Sequence, residues 1–574
     1  MLKSWGNVFC YGIASCLLLV IVIVLVQWFR PNSQIRISKS TTVITTPIAR
    51  DGMPDYQSEL QTREGWACPL ADNGAVEFWS AMGQGSIENE LWGAMCRYLK
   101  IPYADEKEGI DIAYTQLETN LKRWSEHQGI DVGTDEMFAW TPTYALSVMP
   151  WKDADCPPLA RFLAENKDHI DLLVAAGQKR RFYSPDERAF GSSDDSTSVD
   201  VNLPMAIGTA IEVLQLRATN RMGQGRLDEA WQDLHAAMKV ATLPKDNFVG
   251  FLIVTARLGG PLQMLSQLLG HEKVDLRLLE KIRADFAAFP KPKDRIKRCV
   301  YAERLFSISY LVGCSNKADP FSEEEYSLRS PELGFLYEGA VDWNVLLQRA
   351  NEVFDEMDAA AVAPSFTARQ NTVAWLKNLQ VEHERHIGDR VSRTLGYLSM
   401  QKRSQLIADE SCLATFDAFF YVVERYEWWL VQNELLKMQL ALAAHWAEHG
   451  TYPDRLQKLA PNSIDFVDPY SGNLPRYRKI KDGYLIYSVG PNEVDEQGSG
   501  GMLFRGVSLE EIEDDSDPKQ VEAFLRRIGE VDCIRKDGDY SDILYSFGAD
   551  DISTRVIAPQ KTFAEIIKEK VGQQ

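Results

Sequence analysis

Residues 4–29 contain no charged side chain, and 8–29 form a 22-residue run dominated by Leu17-Leu18-Leu19-Val20-Ile21-Val22-Ile23-Val24-Leu25-Val26. No other feature of the sequence restricts the fold so tightly. About 20 apolar residues make a helix long enough to cross the hydrocarbon core, and a single segment satisfies its backbone polar groups there only as a helix. At roughly −0.3 to −0.6 kcal/mol for each Leu, Ile, Val or Phe, insertion is favourable by several kcal/mol. Trp5 and Trp28 stand near the two ends, as an aromatic belt would. A cleaved signal peptide needs a small-x-small site after the run, and Gln27-Trp28-Phe29-Arg30 is bulky instead. Ile13-Ala14-Ser15-Cys16 has the form of a lipobox, but the apolar run follows that cysteine rather than preceding it. The expectation is one uncleaved transmembrane anchor over residues 1–30. Counting Lys3 against Arg30, Arg36 and Lys39 puts the C-terminal side inside.

Residues 31–70 are polar and weakly periodic and read as a linker. Apolar periodicity starts near Gly74-Ala75-Val76-Glu77-Phe78-Trp79, and 71–412 reads as a large, irregular helical domain. Pro-containing steps punctuate it at Ile101-Pro102, Cys156-Pro157-Pro158, Leu203-Pro204 and Phe289-Pro290. Residues 191–198 hold too few apolar groups to pack and read as a loop. One helical hairpin is well written: 207–222, the turn Gly223-Gln224-Gly225, then 227–242. Ala218, Gly225, Ala230, Leu234 and Ala237 occupy the small or apolar positions of a tetratricopeptide-like pair. An array needs about three such units, so the expectation is a local hairpin rather than a solenoid. Further helices are expected at 294–311, 341–357 and 368–389.

The pattern changes in 413–574. A long helix over 413–449 carries Phe416, Phe419, Phe420, Val423, Tyr426, Leu430 and Leu435 at three- to four-residue spacing. Gly450 and Pro453 end it, with His445 and His449 near the negative end of its dipole. Short strands follow at 475–478 and 483–490. An acidic segment is inserted at 501–541. A last strand is read at 542–548, with short helices at 518–528 and from Pro559.

The formal net charge of −20 repels a phosphate backbone and excludes non-specific nucleic-acid binding. Nine cysteines include no Cys-x-x-Cys pair; one or two disulfides are compatible with an oxidising compartment. His383-Glu384-Arg385-His386 spaces its imidazoles three apart, not the four of a His-Glu-x-x-His zinc helix, and reads as a solvated helix face. His445 and His449 do stand at i, i+4, but no third ligand is recognisable and the helix dipole accounts for both. Ser399-Met400-Gln401-Lys402 lacks the partner motifs of Ser-x-x-Lys enzymes. No Walker loop, nucleophile elbow or dinucleotide fingerprint is present. The best small site is acidic: Asn492 and Asp495 follow the strand ending at Gly490, and Asp550 and Asp551 follow the last strand, 542–548, which echoes 484–490. Hard oxygens gathered from loops suit Ca²⁺, which takes six to eight oxygen ligands.

Residues 426–490 resemble the C-terminal part of the major pseudopilin of type II secretion. The resemblance rests on Tyr452, Pro453, Leu456, Asp468, Pro469, Gly472, Tyr477, Tyr487, Ser488, Gly490 and Asp495. It implies a long helix, a fixed loop, a small sheet and a calcium-binding loop whose ligands map onto Asp495 and Asp550, with Asn492 and Asp551 beside them. About 50 residues between the two strand copies are an insertion that family lacks. The whole chain resembles a group of large, exported, membrane-anchored bacterial proteins through Val76-Glu77-Phe78-Trp79-Ser80-Ala81-Met82-Gly83, Asp155-Cys156-Pro157, Arg181-Phe182-Tyr183 and Gly225-Arg226-Leu227-Asp228-Glu229-Ala230-Trp231. That resemblance implies an inner-membrane anchor with the bulk of the chain extracytoplasmic, against the charge count. It does not imply a filament subunit, since about 400 residues separate anchor and module and the prepilin glutamate is absent after Gly6.

The fold class expected is mainly α: a single transmembrane helix, an irregular helical domain with one hairpin, and a small α+β pseudopilin-like module. The function expected is a non-enzymatic, membrane-anchored extracytoplasmic scaffold or interaction protein with protein partners in the cell envelope. The alternative is an extracytoplasmic hydrolase whose site is assembled from distant acidic and His residues.

Overall fold

A computed structural model describes Leu18, Val22, Val26 and residues 30–64, 68–103, 109–127, 142–147, 149–185, 202–244, 246–315, 340–388, 399–459, 466–480, 483–491, 493, 495 and 552–557. The chain is mainly helical, with one small sheet. It divides into two compact units, Met1–Glu64 with Asp246–Phe251 and Pro292–Arg425, and Gly65–Lys245 with Leu252–Lys291 and Tyr426–Gln574. Of the N-terminal apolar run, Leu18, Val22 and Val26 are described, each helical and exposed. The rest of that run, the segments 191–198, 501–541 and 542–548, and the helices read at 518–528 and after Pro559 lie outside the described residues.

The first unit is built around the helix Trp343–Val362, which packs against Pro292–Ser315, Phe366–Gly388 and Met400–Leu413. Its Leu346, Leu347, Ala350, Val353, Phe354 and Met357 are all fully buried, the stripe that a three- to four-residue spacing dictates. Asp342 caps it, accepting from the Asn344 and Val345 amides. Ser399 caps Met400–Leu413 by accepting from the Lys402 amide, which gives the Ser-x-x-Lys tetrapeptide a structural reason.

Where the sequence reads as a polar linker, residues 31–64 are packed. Ser33 Oγ donates to Asp342 Oδ1 at 2.8 Å, and the Val341 amide donates to Asn32 Oδ1 at 2.8 Å. Asn351 Nδ2 donates to the carbonyls of Ser40 and Thr41 at 3.1 and 2.9 Å. Thr41, Thr42, Ile44 and Tyr56 are buried, and the helix Tyr56–Glu64 lays Arg63 over the Tyr301 ring at 4.2 Å. Polar side chains bonded to backbone hold this strap, so its sequence shows little apolar periodicity.

In the second unit the expected hairpin is present as Asn202–Gly223 and Leu227–Ala241. Gly225 takes φ +74° in the turn, a region glycine enters without steric cost. Ala218, Ala230, Leu234 and Ala237 are fully buried. Lys167–Gln178 packs on the second hairpin helix, close enough that a Cβ on Gly177 would lie 3.3 Å from Ala236 Cα. The C-terminal end of the first hairpin helix meets Trp151, whose indole Nε1 donates to Thr219 Oγ1 at 3.1 Å, while Thr219 Oγ1 lies 2.6 Å from the Leu146 carbonyl. Phe248–Leu269 is long and apolar enough to cross a membrane, with mean hydropathy 1.4. Yet its Phe251, Val254, Leu258, Met264, Leu265 and Leu268 are fully buried, so it is a core helix.

The long helix runs Phe416–His449. The sheet that follows is antiparallel in the order β1-β2-β3: Arg476–Ile480, Gly483–Ser488 and Ile552–Ile557. β2 is central and every residue of it is buried. β3 pairs with it so that Ser488 faces Ile552 and Gly483 faces Ile557.

Candidate functional site

The candidate site lies where the long helix, its following loop and the sheet meet. Its centre is Asp468, 1 % exposed. Asp468 and Gly472 close a tight turn, with the Gly472 amide donating to the Asp468 carbonyl at 2.9 Å and Gly472 at φ +67°. The carboxylate then accepts from Ser488 Oγ at 2.6 Å, Ser471 Oγ at 2.8 Å, and the Tyr470 and Val489 amides at 3.3 and 3.4 Å. Four donors match the acceptor capacity of an ionised carboxylate. Asp468 therefore fastens the Asp-Pro-x-x-Gly loop to the end of β2.

Against the sheet's first hairpin, Tyr452, Tyr477 and Tyr484 cluster, with Tyr452 and Tyr484 edge-to-face at 4.8 Å. Tyr477 Oη donates to the Pro453 carbonyl at 2.7 Å, and Lys479 Nζ donates to the Tyr452 carbonyl at 2.8 Å. Burial pushes the Tyr452 and Tyr477 phenols up to about 12 and Tyr484 well above its ordinary value. They are packing groups and donors, with no role as proton acceptors near neutral pH.

Of the four residues proposed for Ca²⁺, Asp495 is described. Its Oδ1 accepts from Tyr487 Oη at 2.8 Å, and its Oδ2 lies 3.4 Å from Arg476 Nε. Asn492, Asp550 and Asp551 lie outside the described residues. The β2–β3 register places Ile552, the residue after Asp551 in sequence, opposite Ser488, at the end of β2 from which the chain continues to Asp495. The donor chemistry is all-oxygen and hard, as Ca²⁺ requires. The Arg476 contact is half-exposed on both sides, so it is weak and easily exchanged for a cation.

Acidic and His residues elsewhere are mostly engaged in internal pairs. Asp233 is fully buried between Arg217 and Arg221, at 2.7 and 2.6 Å. Asp409 accepts from Arg349 at 2.7 Å. Glu303 accepts from the Phe248 amide at 2.8 Å, and its burial raises its carboxyl. His383 corrects the sequence reading: it is 2 % exposed, not on a solvated face, and its Nε2 is bonded to Glu410. Burial also raises the carboxyls of Glu118 and Glu212, which sit near Tyr114. Sequence reasoning missed this pair, because Glu118 and Glu212 are 94 positions apart with no motif joining them. A groove of about 670 Å³ is lined by Glu90, Arg97, Lys100 and Tyr103, among others, and by neither of those glutamates. Its thiol, Cys96, is pushed up to about 11 by burial.

The six described cysteines, Cys68, Cys96, Cys156, Cys299, Cys314 and Cys412, are all buried, and none is bridged to another. Burial pushes Cys156 and Cys412 up to about 12. A protonated, buried thiol is inert, so these are core residues, and none of them forms the disulfides the sequence allowed.

No protein-family model matches the chain, no curated protein is similar to it, and no solved structure matches its fold.

Proposed function

We propose that the chain is a membrane-anchored, extracytoplasmic scaffold that presents a helical body and a small pseudopilin-like end module to protein partners in the bacterial envelope. The observation that carries the reading is the 22-residue apolar run at 8–29 ahead of a long globular chain. Its described members Leu18, Val22 and Val26 are helical and exposed. Two further features support a scaffold over a hydrolase. The strongly buried carboxylates of Asp233, Asp409 and Asp468 are matched by cations or donors within the fold, and the glutamates raised by burial do not line the groove.

Protease added to spheroplasts tests the topology. Digestion of everything beyond the anchor is expected, and protection of the chain until the membrane is lysed would sink the reading. Val22→Arg, unfavourable by about 2.5–3.5 kcal/mol at a helix centre, is expected to shift the protein into the carbonate-extractable fraction. Partners are expected in cross-linked pull-downs of the anchored protein.

The reading includes one Ca²⁺ at the sheet end, held by Asp495 and Asp550 with Asn492 and Asp551 beside them. The register that brings Ile552 opposite Ser488 supports it. Saturating Ca²⁺ is expected to raise the melting temperature and a chelator to reverse it; an unchanged melt in both directions would remove calcium from the proposal.

A further inference from the structure

The last turn of Phe416–His449 carries two imidazoles whose proton positions are set by the backbone. His445 Nδ1 lies 2.9 Å from the Thr451 carbonyl oxygen, and His449 Nδ1 lies 3.0 Å from the His445 carbonyl oxygen. A carbonyl oxygen only accepts, so both Nδ1 atoms carry a proton and donate it. In the neutral rings the lone pair is then on Nε2. That is the tautomer of a metal-ligating histidine, whose other nitrogen donates to a backbone carbonyl or carboxylate.

The two rings are stacked, with centroids 4.3 Å apart and planes at 22°. An i, i+4 pair on one helix face is the spacing that lets two imidazoles share one ion. His449 is exposed and His445 half-buried, so water reaches the remaining coordination positions. The electrostatics favour a cation. The rings sit at the negative end of the helix dipole, and the Glu448 carboxylate lies 3.9 Å from His449 Nδ1. The opposing charge is Lys479, which donates to Thr451 Oγ1 and the Tyr452 carbonyl and faces Asp454 at 3.7 Å. No group of three or more His, Cys, Asp or Glu side chains able to hold a metal occurs among the described residues, so two protein nitrogens and water make the shell.

We propose that His445 and His449 bind one divalent transition-metal ion through their Nε2 atoms. Nitrogen donors select Zn²⁺, Ni²⁺ or Cu²⁺ and leave Ca²⁺ and Mg²⁺, which take oxygen. An ion held by both rings would stand about 2.0–2.1 Å from each Nε2, which requires the stacked rings to turn toward each other. Because His445 also donates to Thr451, the bound ion ties the helix end to the loop that leads into the sheet. The helix-dipole role read from the sequence stands beside this one, since both place positive charge at the same turn.

The test uses the full chain in detergent and Zn²⁺ alone, titrated in competition with a chromophoric chelator. One Zn²⁺ per chain is expected. His445→Gln and His449→Gln are each expected to weaken it by more than about ten-fold, since loss of even an outer-shell partner costs 10–100-fold. Glutamine keeps an N–H for the same carbonyl, so an unchanged far-UV spectrum verifies the fold. His127→Gln is expected to bind as the parent does, and Cu²⁺ is expected to bind more tightly than Zn²⁺. Zn²⁺ binding that survives either substitution at 445 or 449, loss of binding in His127→Gln, or a parent chain that takes no Zn²⁺ would each overturn the proposal.

Discussion

Asp233→Asn isolates a buried charge cluster in the second unit. Arg217 donates to the Asp233 carboxylate from Nε to both oxygens at 3.1 Å and from Nη2 at 2.7 Å, and Arg221 Nη1 donates at 2.6 Å. Asp233 is 0 % exposed, and the two arginine side chains are 7 % and 13 % exposed. Removing one partner of such a pair leaves buried charge uncompensated, a loss of about 3–5 kcal/mol. Arg217 keeps Asp171 at 2.6 Å and Arg221 keeps Glu229 at 3.5 Å, which puts the expected loss at the lower end, about 3 kcal/mol. Asp171→Asn is the internal control. It breaks a contact to the same Arg217, but Asp171 is 44 % exposed, so the loss should stay within about 1 kcal/mol. Urea unfolding followed by far-UV circular dichroism, fitted with a separate transition for each unit, reads both. Replacing the pair with apolar residues, Arg217→Met with Asp233→Leu, should lose less than the two single changes summed. An Asp233→Asn variant as stable as Asp171→Asn would refute the argument, because burial would then not be setting the strength of the pair.

Other perturbations have equally definite outcomes. Gly223→Ala would set a Cβ 2.1 Å from the Trp151 carbonyl oxygen; overpacking of this kind destabilises by about 1–3 kcal/mol, read as a lower melting temperature. Ser488→Ala deprives the buried Asp468 of its 2.6 Å donor, an expected loss of about 1–3 kcal/mol that should appear as faster hydrogen exchange in β2 and the 468–472 loop. Burial raises the folded-state carboxyl of Glu212 above its usual value of 4.5. Between those two values the native state holds the extra proton, so this contribution to stability falls as pH rises from 4.5 through the folded value. Glu212→Gln should remove that slope and leave the protein more stable at neutral pH; an unchanged pH profile would show that the site is better solvated than its burial implies.

The sequence was most legible where one physical signal dominated. The hairpin at 202–241 could be read because small residues, a glycine turn and apolar spacing coincide at Ala218, Gly225 and Ala230. Strands β1 and β2 could be read from the change of period after Gly450. The strap at 31–64 was not legible, because Asn32, Ser33 and Asn351 hold it through hydrogen bonds of their polar side chains that leave no apolar pattern. His383 was misread by motif, yet a signal was present: Val373, Leu376 and Leu379 are buried at helical spacing, and His383 is the next member of that stripe. β3 was not legible because Ile552–Ile557 alternates only weakly, whereas 542–548 repeats the pattern of 484–490. The Asp468–Ser488 contact joins two family-like motifs, and its energetic purpose emerges only when four donors are seen to converge on one carboxylate.

The division of each unit among separate stretches of chain has a consequence for biosynthesis. Ser33 must meet Asp342, 309 residues later in the chain, and β2 must meet Ile552. At about 5–20 residues per second, the ribosome needs about 15–60 s to deliver the partner of Ser33. Throughout that interval the segment 31–64 lacks its closing contacts, and Trp343–Val362, the central helix of its unit, does not yet exist. The first unit can close only after residue 425 has emerged, and the sheet only after Ile557. A chain arranged in this way offers its exposed early helices to chaperones for tens of seconds, and fragments cut at any single boundary lack part of a core.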